Sequence, residues 1–364
     1  MPAAILSSAV RTCLGNGEAT FRALLDGRDG LGPLRCGAPE RLNVSRGYHV
    51  LDDPERPFRA THWLARCVAE AVAASGLRLD EHRAAAIVGT GLRELHEVER
   101  SREVPAERLH FESALREVAP GLESVLTVSA ACSAGGHALA LALDLLELGD
   151  AEIVIVGGAD GMTESMLSMI GRVADRPADR IRPFDVERQG VLLGEGAAAL
   201  VLAGEGRGGG LGRVLSTGLS CDAFHETAPD AAGIRRAMED ALRRARREPG
   251  DVELVFAHGT GTSLNDPTEA TVLSGLLPGA AVTALKGAIG HTSGASALHS
   301  LDVALRCLRE GVVPPIAGLR RPIPEAEALR LVRDRAIPAS ARLAQVDAFG
   351  FGGVNAVTLL EAAA

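Results

Sequence analysis

The chain has 364 residues, 46% of them apolar but only 3% aromatic, and a formal net charge of -9. That length supplies a sizeable core built from Ala, Val, Leu and Gly, arranged as one body or as two fused halves. The acidic balance argues against nucleic acid as a partner, no run reaches the ~18 apolar residues of a membrane span, and the start MPAAILSSAVRT lacks a basic leader with a cleavage site, so a cytoplasmic protein is expected.

In chain order, PAAILSSAV reads as a strand and GEATFRALLDG as a helix stopped by Gly27. Residues 28–58, rich in Arg, Gly and Pro, read as irregular. WLARCVAEAVAASG has helical spacing up to Gly76, and AAAIVGTG follows as a buried strand. A short helix near 107–118 leads to the strand ESVLTVS, a glycine-rich elbow and a long apolar helix over 133–148. The strand AEIVIVGGAD comes next, then residues 161–195 as an insertion, then the strand GAAALVLA. GEGRGGGLG divides a first half, 1–205, from a second, 206–364. The second repeats the alternation: RVLSTGLS, DAAGIRRAMEDALRRAR, VELVFAHG, PTEATVLSGL, AAVTAL and GASALHSLDVALRCLREG are strand and helix in turn, followed by strands near 343–348 and 355–360. Such alternation gives an α/β fold with its chemistry at strand ends.

The cysteines, at 13, 36, 67, 132, 221 and 307, form no C-x-x-C pair and no zinc-like spacing with histidine, so reduced thiols and no metal are expected. In VSAACSAGGHALALALDLL, Cys132 stands between a strand and the first turn of a helix, where backbone N–H groups favour a thiolate. The same small residues also suit a close-packed core cysteine. VFAHGTGTSLNDPTEA ends a strand in His258 and offers Thr260 and Thr262 to an elongated polar ligand, although a hydrogen-bonded turn histidine fits as well. ALKGAIGHTSGA carries Lys286 and His291, placed to stabilise an enolate oxygen or to form a salt bridge beside a capped helix. Lys286 is the only lysine among 38 basic residues, which suggests that a compact ammonium is required there. VDAFGFGGVNAV joins two strands through glycines that let backbone, Phe351 and Gly352 included, approach a substrate, or simply make a hairpin.

Together these segments, with RPFDVERQGVLLGEG and SCDAFHETAPD, resemble the β-ketoacyl synthases of fatty acid and polyketide biosynthesis, within the thiolase-like superfamily. The resemblance runs from about residue 124 to the end. It implies a duplicated five-layer αβαβα sandwich and an acyltransferase of the 3-oxoacyl-[acyl-carrier-protein] synthase type. Cys132 would be the acylated nucleophile, with His258 and His291 stabilising the enolate of a malonyl-type unit and Lys286 supporting them. Thr260 and Thr262 would hold the pantetheine arm, with Phe351 and Gly352 also at the substrate. The N–H groups of Cys132 and Phe351 would make the oxyanion hole, and the Phe351 side chain would line an acyl pocket. No cofactor is implied beyond the phosphopantetheine of acyl carrier protein or CoA that bears the substrates. The partners implied are acyl carrier protein and a second identical or ketosynthase-like subunit.

Two departures from the family stand out. The chain is short between the strand at 84–91 and Cys132, and Ser300 replaces a Glu that pairs with the lysine, leaving Asp302, Glu269 or a water for that role. A lysine without its partner would have a lowered pKa. Two further readings stand beside condensation: acyl transfer without decarboxylation, which the missing Glu favours, and a non-catalytic, pocket-shaping subunit of the chain-length-factor kind, against which Cys132 argues.

Overall fold

The computed structural model describes residues 2–37, 39–52, 56–101, 103–173, 177–204 and 210–363; the expected division between residues 205 and 206 falls outside them. The first half contributes β1 (Ala3–Thr12), β2 (Ala84–Gly89), β3 (Leu122–Val128), β4 (Ile153–Asp160) and β5 (Gly196–Gly204), side by side in the order β3-β2-β4-β5-β1. β2 is parallel to β3 and β4, whereas β5 is antiparallel to β4 and β1. The second half contributes β6 (Gly212–Cys221), β7 (Leu254–Phe256), β8 (Ala281–Thr283), β9 (Leu343–Gly350) and β10 (Val354–Ala362), in the order β8-β7-β9-β10-β6. Its parallel and antiparallel relations are the same. Both sheets thus read third, second, fourth, fifth, first strand, a duplication in order and in direction. They meet where Ala3–Ile5 pairs antiparallel with Gly212–Val214.

The layers follow from strands buried on both faces, whose side chains alternate sides. Five helices matter here: α1 (Arg59–Ser75), α2 (Ala134–Leu148), α3 (Ala231–Ala245), α4 (Asn265–Leu276) and α5 (Ser296–Glu310). Ile153 and Ile155 of β4 turn outward to Trp63, Leu64 and Val68 of α1. Val154 and Val156 turn inward to Leu139 of α2 and Leu298 and Leu301 of α5, in a cluster that also holds Phe256 of β7 and Val346 of β9. Val255 and Val357 face the other way, onto Ile234 and Met238 of α3 and Leu273 of α4. The result is the duplicated αβαβα sandwich: α1, first sheet, α2 with α5, second sheet, α3 with α4. Residues 131–148 have the length and hydropathy of a membrane span, but half of that segment is buried and α2 fills the slot between the sheets.

The stretch expected to be irregular and the expected insertion both carry structure. Residues 28–58 contain a small antiparallel pair, Leu31–Pro33 with Arg46–Tyr48, and the 161–195 insertion contains the helix Glu164–Val173. Leu42, Tyr48, Met162, Leu167 and Ile181 share one satellite core, so each stretch supplies the apolar partners the other lacks. β3 lies at the outer edge of the first sheet with Leu126 45% exposed, an edge left unpaired among the described residues, beside the glycine-rich elbow.

Candidate active site

Cys132 sits in the turn Ala131–Ser133 between β3 and α2. Ala131 adopts φ +48°, an uncommon backbone state for a residue with a Cβ, and Ser133 fixes the turn by donating its N–H and its hydroxyl to the Ala130 carbonyl at 3.1 and 2.8 Å. The glycines nearby are needed for close approach: a Cβ on Gly89 would lie 2.4 Å from the Ala134 carbonyl oxygen, and one on Gly135 2.6 Å from that of Gly294. The turn packs against β9 and against the turn Ser293–Ala295 of the second half. The thiol is not pre-ionised. Burial pushes it up to about 11, with Asp160 adding to the rise, against the opposing pull of Lys286 and of the Phe351 N–H. The thiolate expected from the helix start is thus outweighed by desolvation.

His258 follows β7, and its backbone is pinned by a buried carboxylate on α4. The N–H groups of His258 and Gly259 donate to Glu269 at 2.6 and 2.8 Å, and the Asn265 side-chain amide adds a third bond at 3.0 Å. The Lys286 ammonium donates to the His258 carbonyl and lies 3.3 Å from His258 Nδ1, to which the Phe349 N–H also points at 3.4 Å. Ammonium and amide offer only hydrogens, so Nδ1 carries the lone pair and Nε2 the proton. Burial and then Lys286 hold this imidazole well below its ordinary pKa, so it is neutral.

His291 reaches the same state by a separate route. The Ser293 N–H donates to its Nδ1 at 3.2 Å, the Ser296 hydroxyl lies 3.0 Å away, and burial, followed by Lys286, keeps the ring uncharged. The two rings meet edge to face with centroids 5.5 Å apart. Two neutral imidazoles, each with Nε2–H available, therefore stand together.

Lys286 is buried, which depresses its pKa; Glu269 is the largest influence opposing that fall. Of the partners the sequence left open, Asp302 is engaged elsewhere, accepting from Ser8 at 2.6 Å and Arg306 at 2.9 Å. Ser300 is buried on α5. The loop after His258 is folded by Asp266, which accepts the N–H groups of Thr260 and Gly261, both at 3.1 Å, and that of Phe184 at 2.7 Å. Thr260 and Thr262 then lie with their hydroxyls 2.9 Å apart, Thr262 partly open to solvent. The Phe351 side chain is 44% exposed, in a hairpin where Gly352 and Gly353 adopt φ +84° and +77°, and its N–H favours the Cys132 thiolate. The Gly352 N–H is bonded to the Glu226 carbonyl at 2.8 Å.

Cys132, His258, Lys286 and His291 are thus brought together. Asp160 was missed: it accepts four hydrogen bonds beneath the Cys132 turn. The available signal was an acid closing the otherwise apolar run IVIVGGAD.

Residues 52–206 match the family described as the N-terminal domain of beta-ketoacyl synthase, and residues 211–320 the family described as its C-terminal domain. The chain is 31% identical over 394 residues to 3-oxoacyl-[acyl-carrier-protein] synthase 2 of Mycobacterium tuberculosis, covering 95% of this chain and 94% of that protein. It is 35% identical over 246 residues to nodulation protein E of Rhizobium meliloti, a match that spans 64% of this chain and 60% of that relative's length. Among solved structures, the ishigamide ketosynthase/chain length factor superposes with a TM-score of 0.91 at 29% identity, covering 99% of both chains. A chain of AntDE:AntF (apo), a type II PKS acyl-carrier protein in complex with its ketosynthase bound to the hexaketide, is similar in fold, with a TM-score of 0.88 at 20% identity over 99% of each chain.

Proposed function

The chain belongs to the β-ketoacyl synthase family, and from that premise we propose that it catalyses a decarboxylative Claisen condensation, joining an acyl group held on Cys132 to a malonyl-type thioester delivered by acyl carrier protein. In the first step the Cys132 sulfur attacks the acyl thioester, the bond to the carrier sulfur breaks, and the carrier thiol leaves with the Cys132 proton. The N–H groups of Cys132 and Phe351 stabilise the oxyanion. In the second, the malonyl carboxylate departs as carbon dioxide and its electron pair passes to the thioester oxygen. That enolate oxygen accepts from Nε2–H of His258 and of His291, while Lys286 keeps His258 in the required tautomer. The enolate carbon then attacks the acyl carbonyl, Cys132 is expelled as thiolate and regains a proton, and a 3-ketoacyl thioester remains. Thr260 and Thr262 bond the pantetheine arm of the incoming carrier, with Phe351 and Gly352 at its far side. This scheme uses no metal and no cofactor of the chain's own, and it suits the cytoplasm, where the six free cysteines stay reduced.

The observation that carries this reading is the pair of neutral imidazoles with both Nδ1 atoms occupied by donors. Acyl transfer without decarboxylation is the reading that Ser300 favours; Glu269, although burial raises its own carboxyl to about 7, is the largest influence favouring the Lys286 ammonium, so condensation is preferred. A second ketosynthase-like chain, identical or not, covers the open edge of β3. The direct test supplies acyl- and malonyl-carrier protein and reads the carrier by intact mass. A 3-ketoacyl product on the carrier is expected. Acyl transfer to an alcohol, amine or thiol with malonyl-carrier unconsumed would replace condensation by the acyltransferase reading.

A further inference from the structure

Beneath the Cys132 turn the two halves meet at a joint of glycines around one carboxylate. A Cβ on Gly294 would lie 2.6 Å from the Thr90 Cα, one on Gly91 2.3 Å from the Ser293 hydroxyl, and one on Gly158 3.1 Å from the Ala295 Cα. Three backbone segments therefore cross at a spacing that leaves no room for side chains: residues 90–92 after β2, the end of β4, and the Ser293–Ala295 turn. Asp160, 1% exposed, fills the centre. Its Oδ1 accepts from the Thr90 hydroxyl at 2.6 Å and the Leu92 N–H at 2.7 Å; its Oδ2 accepts from the Gly91 N–H at 2.9 Å and, across the joint, from the Gly294 N–H at 2.6 Å.

We propose that Asp160 is a positioning residue for this site, locking the half that carries Cys132 onto the half that carries His291 so that the two groups keep one separation. The Ser293–Ala295 turn it holds also presents the N–H that fixes the tautomer of His291 and packs against the Cys132 turn. A second effect is electrostatic. Burial raises the Asp160 carboxyl to about 6, still ionised at neutral pH, and its charge opposes ionisation of Cys132. Charged Asp160 and Lys286 therefore pull the thiol in opposite directions, with His258 and His291 uncharged beside them. A nucleophile kept as thiol between turnovers resists adventitious oxidation, because the thiolate is the reactive form. Once acylated, Cys132 has no charge for Asp160 to oppose.

The positioning role rests on the condensation reading for its rate effect, but the thiol effect can be measured without it. Asp160→Asn is nearly isosteric, removes the charge and sets an NH2 group against backbone donors. Alkylation of Cys132 by iodoacetamide, followed across pH by peptide mass, is expected to move its midpoint down in Asp160→Asn. In Asp160→Glu, which keeps the charge, the midpoint stays high. The same Asn variant is expected to lose at least tenfold in kcat for 3-ketoacyl formation with KM little changed. An unchanged midpoint in Asp160→Asn would remove the electrostatic effect, and a kcat in that variant equal to that of the unaltered protein would overturn the positioning role. A lowered midpoint in a chain whose unaltered form makes no 3-ketoacyl product would leave the effect on the thiol standing and remove the condensation reading. Should Asp160→Asn not fold, Thr90→Val deletes one donor and keeps the charge. It is expected to lower kcat about tenfold, and an unaltered kcat in that variant would reject the joint as a positioning device.

Discussion

Lys286 is held by a geometry that only a narrow ammonium satisfies. Its nitrogen serves the His258 carbonyl and Nδ1 together in a fully buried position, where a planar guanidinium is too broad and keeps its charge at every pH. Lys286→Arg is therefore expected to fold and still load Cys132, yet lose about a hundredfold in condensation, as a displacement of ~1 Å at the reacting centre costs. Near-normal turnover in that variant would make the solitary lysine a coincidence of composition. The two half-reactions also have opposite pH responses. Cys132 is a thiol with its pKa raised to about 11, so its thiolate fraction, and with it the loading rate, climbs as pH rises. Lys286 has its pKa depressed by burial, so its ammonium is present at low pH and is lost as pH climbs through a value below the ~10.4 of a free lysine. Decarboxylation should accordingly decline on the alkaline side while loading still accelerates. Single-turnover measurements of each step across pH test this, and parallel rises in both rates would contradict the role given to Lys286.

At the level of elements, the glycines of the strand-end turns set the spacing of the two halves. Gly294→Ala would place a methyl 2.6 Å from the Thr90 Cα, a backbone atom with nowhere to go, so a loss of roughly 1–3 kcal/mol of stability is expected, read from denaturant unfolding. An unchanged midpoint would show that the joint has slack. Much of this architecture is legible from the chain alone. β1 to β10 and α1 to α5 each carry an apolar run of the right period, and Cys132, His258, Lys286 and His291 lie in segments whose glycines mark strand ends. What stays hidden depends on distant partners. The Glu164–Val173 helix is amphipathic, but it lies in a stretch of Met, Arg, Pro and Gly read as an insertion, and its core partners Leu42 and Tyr48 are remote in sequence. Asp160 acquires meaning from partners remote in sequence, Thr90, Gly91 and Leu92 in its own half and the Gly294 N–H at 2.6 Å in the other. The ionisation of Cys132 was misjudged because a helix start is visible in sequence whereas desolvation is a property of the folded surroundings.

On the scale of the whole molecule, β3 ends the first sheet with Leu126 exposed and its hydrogen-bonding edge unpaired among the described residues, directly before the Cys132 turn. A second ketosynthase-like chain seated there would protect the edge and brace the nucleophile. Light scattering is expected to show a dimer, or a heterodimer once the partner is supplied, and Leu126→Arg to weaken it; an active monomer at micromolar concentration would contradict this. The duplicated sandwich otherwise acts as a frame: one half presents Cys132, the other presents His258, Lys286 and His291, and the proposed catalysis requires them to meet. The most direct test of that division follows label from malonyl-carrier protein carrying a labelled free carboxylate, in enzyme already acylated on Cys132. The unaltered chain should release labelled carbon dioxide and form the 3-ketoacyl product, whereas His258→Ala and His291→Ala should each lose both by about 100-fold or more while retaining Cys132 acylation. Release of label at an undiminished rate from either histidine variant, or acyl transfer by the unaltered chain with the label retained, would contradict the account.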